Sequence, residues 1–271
     1  MPQPQQSTVR NRLLKRLSPG DFALLQPYLE PMQTELRQTL MKPREPVTQL
    51  FFPESGYVSI VGENSGGRVE VGMIGREGVV GASAILLDAG TTPYEQFVQC
   101  PGDLLAIDVT AFSAAVAQSL TFQKLMLRYI QTKLIQARQT AFANAAYAMD
   151  VRLARWLLMC HDRADGDEIP VTHEFIALML GVQRSGATIT VQKLEGTGHI
   201  KAQRGRITVR NRDGLVALAE GSYGTTEAEY ARLIEDVGDA ALPLQPSGSP
   251  LTGWAEGAPG SRGPAGHEHR A

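Results

Sequence analysis

Cysteine is nearly absent from this chain of 271 residues. Cys100 and Cys160 are the only two, too few for a disulfide framework and not spaced as a metal site. No run approaches eighteen consecutive apolar residues, which excludes a membrane-spanning helix on the usual pattern. The first residues, MPQPQQSTVRNRLLKRL, lack the apolar core of a signal peptide, so a cytoplasmic protein with no membrane partner is expected. Histidine is as scarce: His161, His173, His199, His267 and His269, none of them in residues 30–120. That removes the ligands a metal or haem site in the first half would need. His267-Glu268-His269 has chelating spacing but falls in a low-complexity tail. A Ser/His/Asp order, a P-loop and a dinucleotide fingerprint are missing too. No catalytic residue, metal or cofactor is therefore expected, and the chain does not read as an enzyme. What it has is 43% hydrophobic residues, enough for one or two sizeable cores.

Residues 1–10, rich in Pro and Gln, read as disordered. From Asn11 onward, Leu13, Leu14, Leu17, Phe22, Leu25 and Leu29 suggest two short helices, broken at Ser18-Pro19 with Ser18 as cap and Pro19 in the first turn. Between residues 34 and 109 the texture is that of strands. Residues 35–40, 47–52, 56–61, 68–74, 94–99 and 103–108 alternate or run apolar between Gly, Pro and Asn turns. Short, closely spaced strands indicate an antiparallel barrel or sandwich. A long helical run to Tyr147 follows. Its apolar residues spread over more than one face, so one face can pack on the barrel while another meets a second copy of itself. A further helix starts at Asp150 and a last, interrupted one covers residues 215–234. Beyond Gly238 the composition collapses into Pro, Gly, Ser and Ala, which reads as a disordered tail.

The richest stretch is residues 172–209, THEFIALMLGVQRSGATITVQKLEGTGHIKAQRGRITV. It reads as a short apolar helix, a turn at Gly181, a second helix and two strands around Arg204-Gly205. Two helices joined by a Gly-containing turn of three or four residues form a helix-turn-helix. In the second helix Ala187, Val191 and Leu194 make a narrow buried stripe. Arg184, Ser185, Thr188, Ile189 and Gln192 lie on other faces. These side chains suit a DNA major groove: Arg to guanine, Gln to adenine, an aliphatic group to a thymine methyl. Residues 183–212 hold seven Lys or Arg against one acid, Glu195. Five of the seven are in residues 201–212, KAQRGRITVRNR, a basic hairpin of the kind that forms a wing and meets phosphates.

A barrel, a long helix and a winged helix, in that order, resemble the Crp/Fnr family of bacterial transcription regulators over residues 11–234, most specifically over 150–209. The resemblance implies an α+β chain. A sensor β-barrel of the cyclic nucleotide-binding jelly-roll type occupies residues 11–118 and a dimerisation helix 119–148. A winged helix-turn-helix covers 149–235, with a disordered tail at 236–271. It implies a homodimer on a palindromic double-stranded operator, with RNA polymerase as a further partner. Arg184 matches the family's guanine-contacting arginine, whereas Ser185 stands where an acid is usual, Ile189 where an arginine is usual, and Gln183 where a small polar residue is usual. The expected DNA-binding residues are Thr172, His173, Gln183, Arg184, Ser185, Thr188, Ile189, Gln192, Lys201, Arg204 and Arg206. The cyclic-nucleotide members carry Gly-Glu-Leu and then Arg-Ser or Arg-Thr; here residues 74–81 read IGREGVVG and no Arg lies between Asp88 and Val98. A signal at the barrel, if one is received, is therefore not expected to be cyclic AMP. Gly75, Glu77 and Gly78 are the ligand-contact candidates and the effector is unassigned. The competing reading is a small-molecule or cyclic-nucleotide sensor whose DNA binding depends strictly on its ligand.

Overall fold

Side-chain caps start the first helices in the computed structural model, which describes residues 3–65 and 67–236. Asn11 Oδ1 accepts from the amides of Leu13 and Leu14 and opens α1 (Arg12–Arg16). Ser18 Oγ accepts from the Asp21 amide, and Pro19 is the first residue of α2 (Pro19–Leu25), as its fixed φ favours. Residues 3–10 are ordered, contrary to the expectation from composition. Gln6 Nε2 donates to the carbonyls of Leu14 and Leu17, which α1 leaves unpaired at its end, and Val9 is buried.

Seven strands follow: β1 (Glu30–Gln33), β2 (Thr39–Met41), β3 (Gln49–Pro53), β4 (Tyr57–Asn64), β5 (Gly67–Ile74), β6 (Glu95–Cys100) and β7 (Asp103–Asp108). They form two antiparallel sheets, β1-β7-β3 and β2-β6-β4-β5. Met41, Phe51, Val58, Ile74 and Leu104 come from both sheets and, with Val47 and Val80 of the connecting segments, fill the space between them. This is a jelly-roll-like arrangement whose sheets do not close on themselves. Thr39 and Leu40 enter β2, but residues 35–38 are not the strand that their alternation suggested. Arg37 sits at φ 67° and Leu36 is 58% exposed, so no apolar face is available to hold a strand there, and a turn joins β1 to β2. A short helix, α3 (Ala82–Leu86), lies between β5 and β6 and had no periodic signal. It starts at Gly81, whose φ is 87° and whose Cβ, if present, would lie 2.6 Å from Met41 Cε.

After α4 (Val109–Gln118) comes α5 (Leu120–Ala146), 27 residues long, about 40 Å by helical rise. Phe122, Leu125, Met126, Tyr129, Thr132 and Gln136 form its buried stripe against the N-terminal half. The chain then runs through α6 (Met149–His161), β8 (Glu168–Pro170), α7 (His173–Leu180), α8 (Arg184–Gly196), β9 (Ile200–Gln203), β10 (Arg206–Val209) and α9 (Arg212–Leu218). Gly221 at φ 76° and Gly224 at φ 107° make the expected interruption before α10 (Thr225–Tyr230) and a π-helical turn, Ala231–Glu235.

One apolar cluster runs from α6, α7, α8 and α9 into Tyr57, Val61, Met73 and Phe97 of the barrel. Phe175 of α7 meets Phe97 edge to face at 5.9 Å. The last residues return to the start of the chain. Tyr230 and Ile234 bury themselves among α1, α2 and α5, Arg12 pairs with Glu235, and Arg16 Nε donates to the Ile234 carbonyl. The expected tail lies, from residue 237 on, outside the described residues. No helix among the described residues is long and apolar enough to cross a membrane.

Candidate nucleic-acid interface

The turn at Gly181 places α8. Thr172 Oγ1 caps α7 by accepting from the Phe175 amide, and Ile176, Ala177, Met179 and Leu180 bury its apolar side. Gly181 ends it in the left-handed region, φ 64° and ψ 42°, where only glycine is unstrained. Val182 N donates back to Ala177 O. Gln183 is the extended residue before α8 and makes no side-chain cap, so its amide side chain stays exposed.

Ala187, Val191 and Leu194 form the buried stripe of α8, as their spacing predicted. Arg184, Ser185, Ile189 and Gln192 project to solvent. Ile189 is 65% exposed, an unusual place for a large aliphatic side chain in a helix that faces only water. Thr188 and His173 are partly buried and hydrogen-bond each other at 3.2 Å, with the Thr188 hydroxyl also within 3.0 Å of the Arg184 carbonyl.

β9 and β10 pair with Gln203 opposite Arg206, and Gly205 at φ 80° allows the tight turn. The wing has three strands rather than two, because β8 pairs with β10 through Ile169 and Ile207. Lys201, Arg204, Arg206 and Arg210 are exposed on it. Arg206 Nε donates to Gln203 Oε1 and its guanidinium lies 3.7 Å from Glu168. Arg212, counted with the basic stretch from sequence, opens α9 and is committed elsewhere. Its guanidinium donates to Asp162 at 2.6 Å and to the Tyr223 hydroxyl at 2.7 Å. Glu195, the one acid in 183–210, accepts from the Ala202 amide and so ties α8 to the wing.

The barrel candidates have other partners. A Cβ on Gly78 would lie 2.5 Å from the Tyr129 hydroxyl, and one on Gly75 would lie 2.6 Å from Arg163 Cγ. Gly78 thus allows close packing against α5, and Gly75 against Arg163 just beyond α6. Glu77 accepts from Arg163 Nε at 2.8 Å and Nη2 at 2.6 Å, and both side chains are largely buried. Burial alone would raise the Glu77 pKa, but the Arg163 charge and then Lys133 hold it below the ordinary value.

Sequence reading missed the joint between the two halves. Glu70 of β5 is buried and accepts from Ser59 Oγ at 2.6 Å and from Trp156 Nε1 of α6 at 2.9 Å. Burial raises its pKa to about 7, against the hydrogen bonds from Ser59 and Trp156. Arg152 Nη2 donates to the Leu180 carbonyl at the end of α7, and Arg155 Nε donates to Ser222 O. Nothing in the alternation of β5 distinguishes Glu70 from a solvent-facing residue.

Residues 151–218 match the model of the Crp-like helix-turn-helix domain. No curated protein is matched by this sequence. Among solved structures, a protein from Eubacterium rectale described as belonging to the Crp/Fnr regulators is 18% identical over 77% of this chain and 98% of its own, with a TM-score of 0.60. FixK2 from Bradyrhizobium japonicum is 16% identical over 70% of this chain and 96% of its own, again with a TM-score of 0.60. The c-di-GMP-responsive regulator CLP from Xanthomonas campestris is 19% identical over 71% and 99%, with a TM-score of 0.55. At these identities the likeness is one of fold.

Proposed function

Because residues 151–218 are a Crp-like helix-turn-helix domain set on the fold of the Crp/Fnr transcription regulators, we propose that this chain is a dimeric, cytoplasmic regulator that reads a two-fold-related DNA site. The observation that carries the proposal is the solvent face of α8 beside the wing. Arg184, Ser185, Ile189 and Gln192 are exposed there together with Lys201, Arg204, Arg206 and Arg210. In this reading α8 enters the major groove, Arg184 reads a guanine, and Ile189 packs on a thymine methyl. Gln183, Ser185, Thr188 and Gln192 offer polar contacts along the same groove. Thr172 and His173 at the start of α7, with Lys201, Arg204 and Arg206 on the wing, meet phosphates and set register. RNA polymerase is the further partner that transcription control requires.

Dimerisation is supported by the outer face of α5. Leu120, Leu127 and Leu134 recur every seven residues and are 64%, 49% and 43% exposed, with Ala141 next in the series. A seven-residue apolar repeat opposite the stripe that packs on the barrel is what a two-helix seam needs. Two such copies present two α8 helices to half-sites about one DNA turn apart.

Selection from random duplexes with the purified, ligand-free chain tests the proposal. A palindromic motif with half-sites about 10 base pairs apart is expected. Enrichment of no motif, with only salt-sensitive non-specific binding, would favour the reading in which DNA recognition depends strictly on a ligand.

A further inference from the structure

The final described residues cross from the helix-turn-helix half back to α1, and a cavity of about 310 Å³ lies beneath them. Arg12, Lys133, Gln136, Arg163, Tyr223 and Tyr230 contribute to its walls, so it borders the N-terminal helix, the long helix, the end of α6 and the C-terminal segment.

Most charged groups around this cavity are matched. Arg163 holds Glu77, Asp162 accepts from Arg212 and the Tyr223 hydroxyl, Arg12 pairs with Glu235, and Glu227 accepts from the Gly224 amide. Two groups stand out. The Lys133 ammonium donates to the Met73 carbonyl at 2.6 Å and Gln136 Oε1 at 2.7 Å, but among the described residues no carboxylate lies within ion-pair distance. Burial drives its pKa down to about 7, even with Glu77 opposing. The Tyr230 hydroxyl is buried and has no hydrogen-bond partner among the described residues. Unmatched buried polar groups are rare in native proteins and ask for an explanation.

Both groups are donors, and the approach to the cavity has the same sign. An adjoining recess of about 270 Å³ shares Arg12, Glu77 and Asp162 with it and adds Arg10, Lys15 and Arg76. Arg10 and Arg76 divide a single carboxylate, Asp165, between them. The cavity's own walls are balanced, with Arg12, Lys133 and Arg163 against Glu77, Asp162 and Glu227. The positive excess that draws anions in lies at the adjoining recess, four cations against two carboxylates. A cavity of this size suits a small molecule rather than a macromolecule.

We propose that this cavity binds a small metabolite through an oxyanion, carboxylate or phosphate, that accepts hydrogen bonds from Lys133 Nζ and the Tyr230 hydroxyl. The site is separate from the DNA-reading face and from the space between the two sheets. Its walls include both the helix that leaves the barrel and the segment that leaves the winged helix, so an occupant would touch both halves at once.

Thermal unfolding of the full chain, without DNA and at constant ionic strength, tests the proposal independently of the proposed function. Inorganic phosphate and succinate are titrated separately, so the response also shows which oxyanion the site prefers. A saturable rise of a few degrees with at least one of them is expected, and Tyr230→Phe and Lys133→Met should each raise the half-saturating concentration about tenfold or more. Tyr230→Phe removes only the unbonded hydroxyl and so should fold as the parent does. No saturable rise with either anion, or the same titration in the parent and both variants, would overturn the proposal and leave solvent as the occupant.

Discussion

Glu70 is a buried carboxyl at the joint between the barrel and α6, and Glu70→Gln should change how stability depends on pH. Its pKa is about 7 in the fold against an ordinary 4.5. The folded state therefore holds the proton more tightly than the unfolded state. The stabilisation is complete below pH 4.5 and is lost as pH rises through 7, above which the fold carries a buried carboxylate. The difference in pKa corresponds to about 3 kcal/mol by linkage. Geometry gives a second reason to expect the proton. Ser59 has one hydroxyl hydrogen but lies within hydrogen-bond distance of both Glu70 and the Gln99 carbonyl oxygen. A protonated Glu70 donating to Ser59, which then donates to Gln99, satisfies all three. A Gln99 amide turned to donate would serve an ionised Glu70 equally well. Glu70→Gln imitates the protonated form at nearly constant volume. Urea unfolding of parent and variant between pH 4.5 and 8.5 separates the cases, because other groups cancel in the difference. The stability gap should move by about 3 kcal/mol in favour of Gln between pH 4.5 and 8. A gap that stays constant with pH would refute the raised pKa and show an ionised Glu70 paired through Gln99.

Arg184→Ala should cost about 1–3 kcal/mol on the selected site and little on random duplexes. Lys201→Ala should weaken both alike and lower the salt slope by about one; equal losses for the two variants would sink the base-reading role of Arg184. Leu127→Glu with Leu134→Glu should convert a dimer to a monomer in analytical sedimentation and reduce affinity for a palindromic site by tenfold or more, since carboxylates would face each other along the seam. Thr172→Ala should cost about 1 kcal/mol in urea unfolding by removing the cap of α7; an unchanged midpoint would mean that water caps the helix as well.

The readable parts of the chain were those that local chemistry specifies. Ser18-Pro19 started α2, Gly181 ended α7, and Ala187, Val191 and Leu194 marked the inner face of α8 because each rule operates within a few residues. Five of the seven barrel strands lie close to where alternation placed them. Residues 35–38 failed because alternation signals a strand only when one side is buried, and Leu36 is exposed. Residues 3–10 failed because composition does not register Gln6 reaching two carbonyls across α1. Arg212 could be counted as basic from sequence, but its engagement by Asp162 and Tyr223 required the fold. The buried state of Glu70, the unmatched charge of Lys133 and the unpaired hydroxyl of Tyr230 arise from contacts separated by dozens of residues.

Those long-range contacts decide what α8 rests on. One side of α7 holds α8 through the shared apolar cluster, and another meets the barrel, where Phe175 touches Phe97 and Met179 approaches Ser59. The position of α8 is therefore set in part by β4, β5 and β6 rather than by the helix-turn-helix alone. Beside these contacts and the Arg163–Glu77 pair, two fasteners bear on separate elements: Trp156 on Glu70 near the sheet, and Tyr230 with Ile234 among the N-terminal helices. They share no residue and lie on different elements. Loosening one leaves the other in place, so a ligand or protonation event shifts α8 only as far as its differential stabilisation of the docked arrangement allows. Ionising Glu70 acts against the first fastener, while filling the cavity below Tyr230 acts on the second. The two effects should add if the halves move as rigid bodies, and should show coupling if release of one fastener loosens the other.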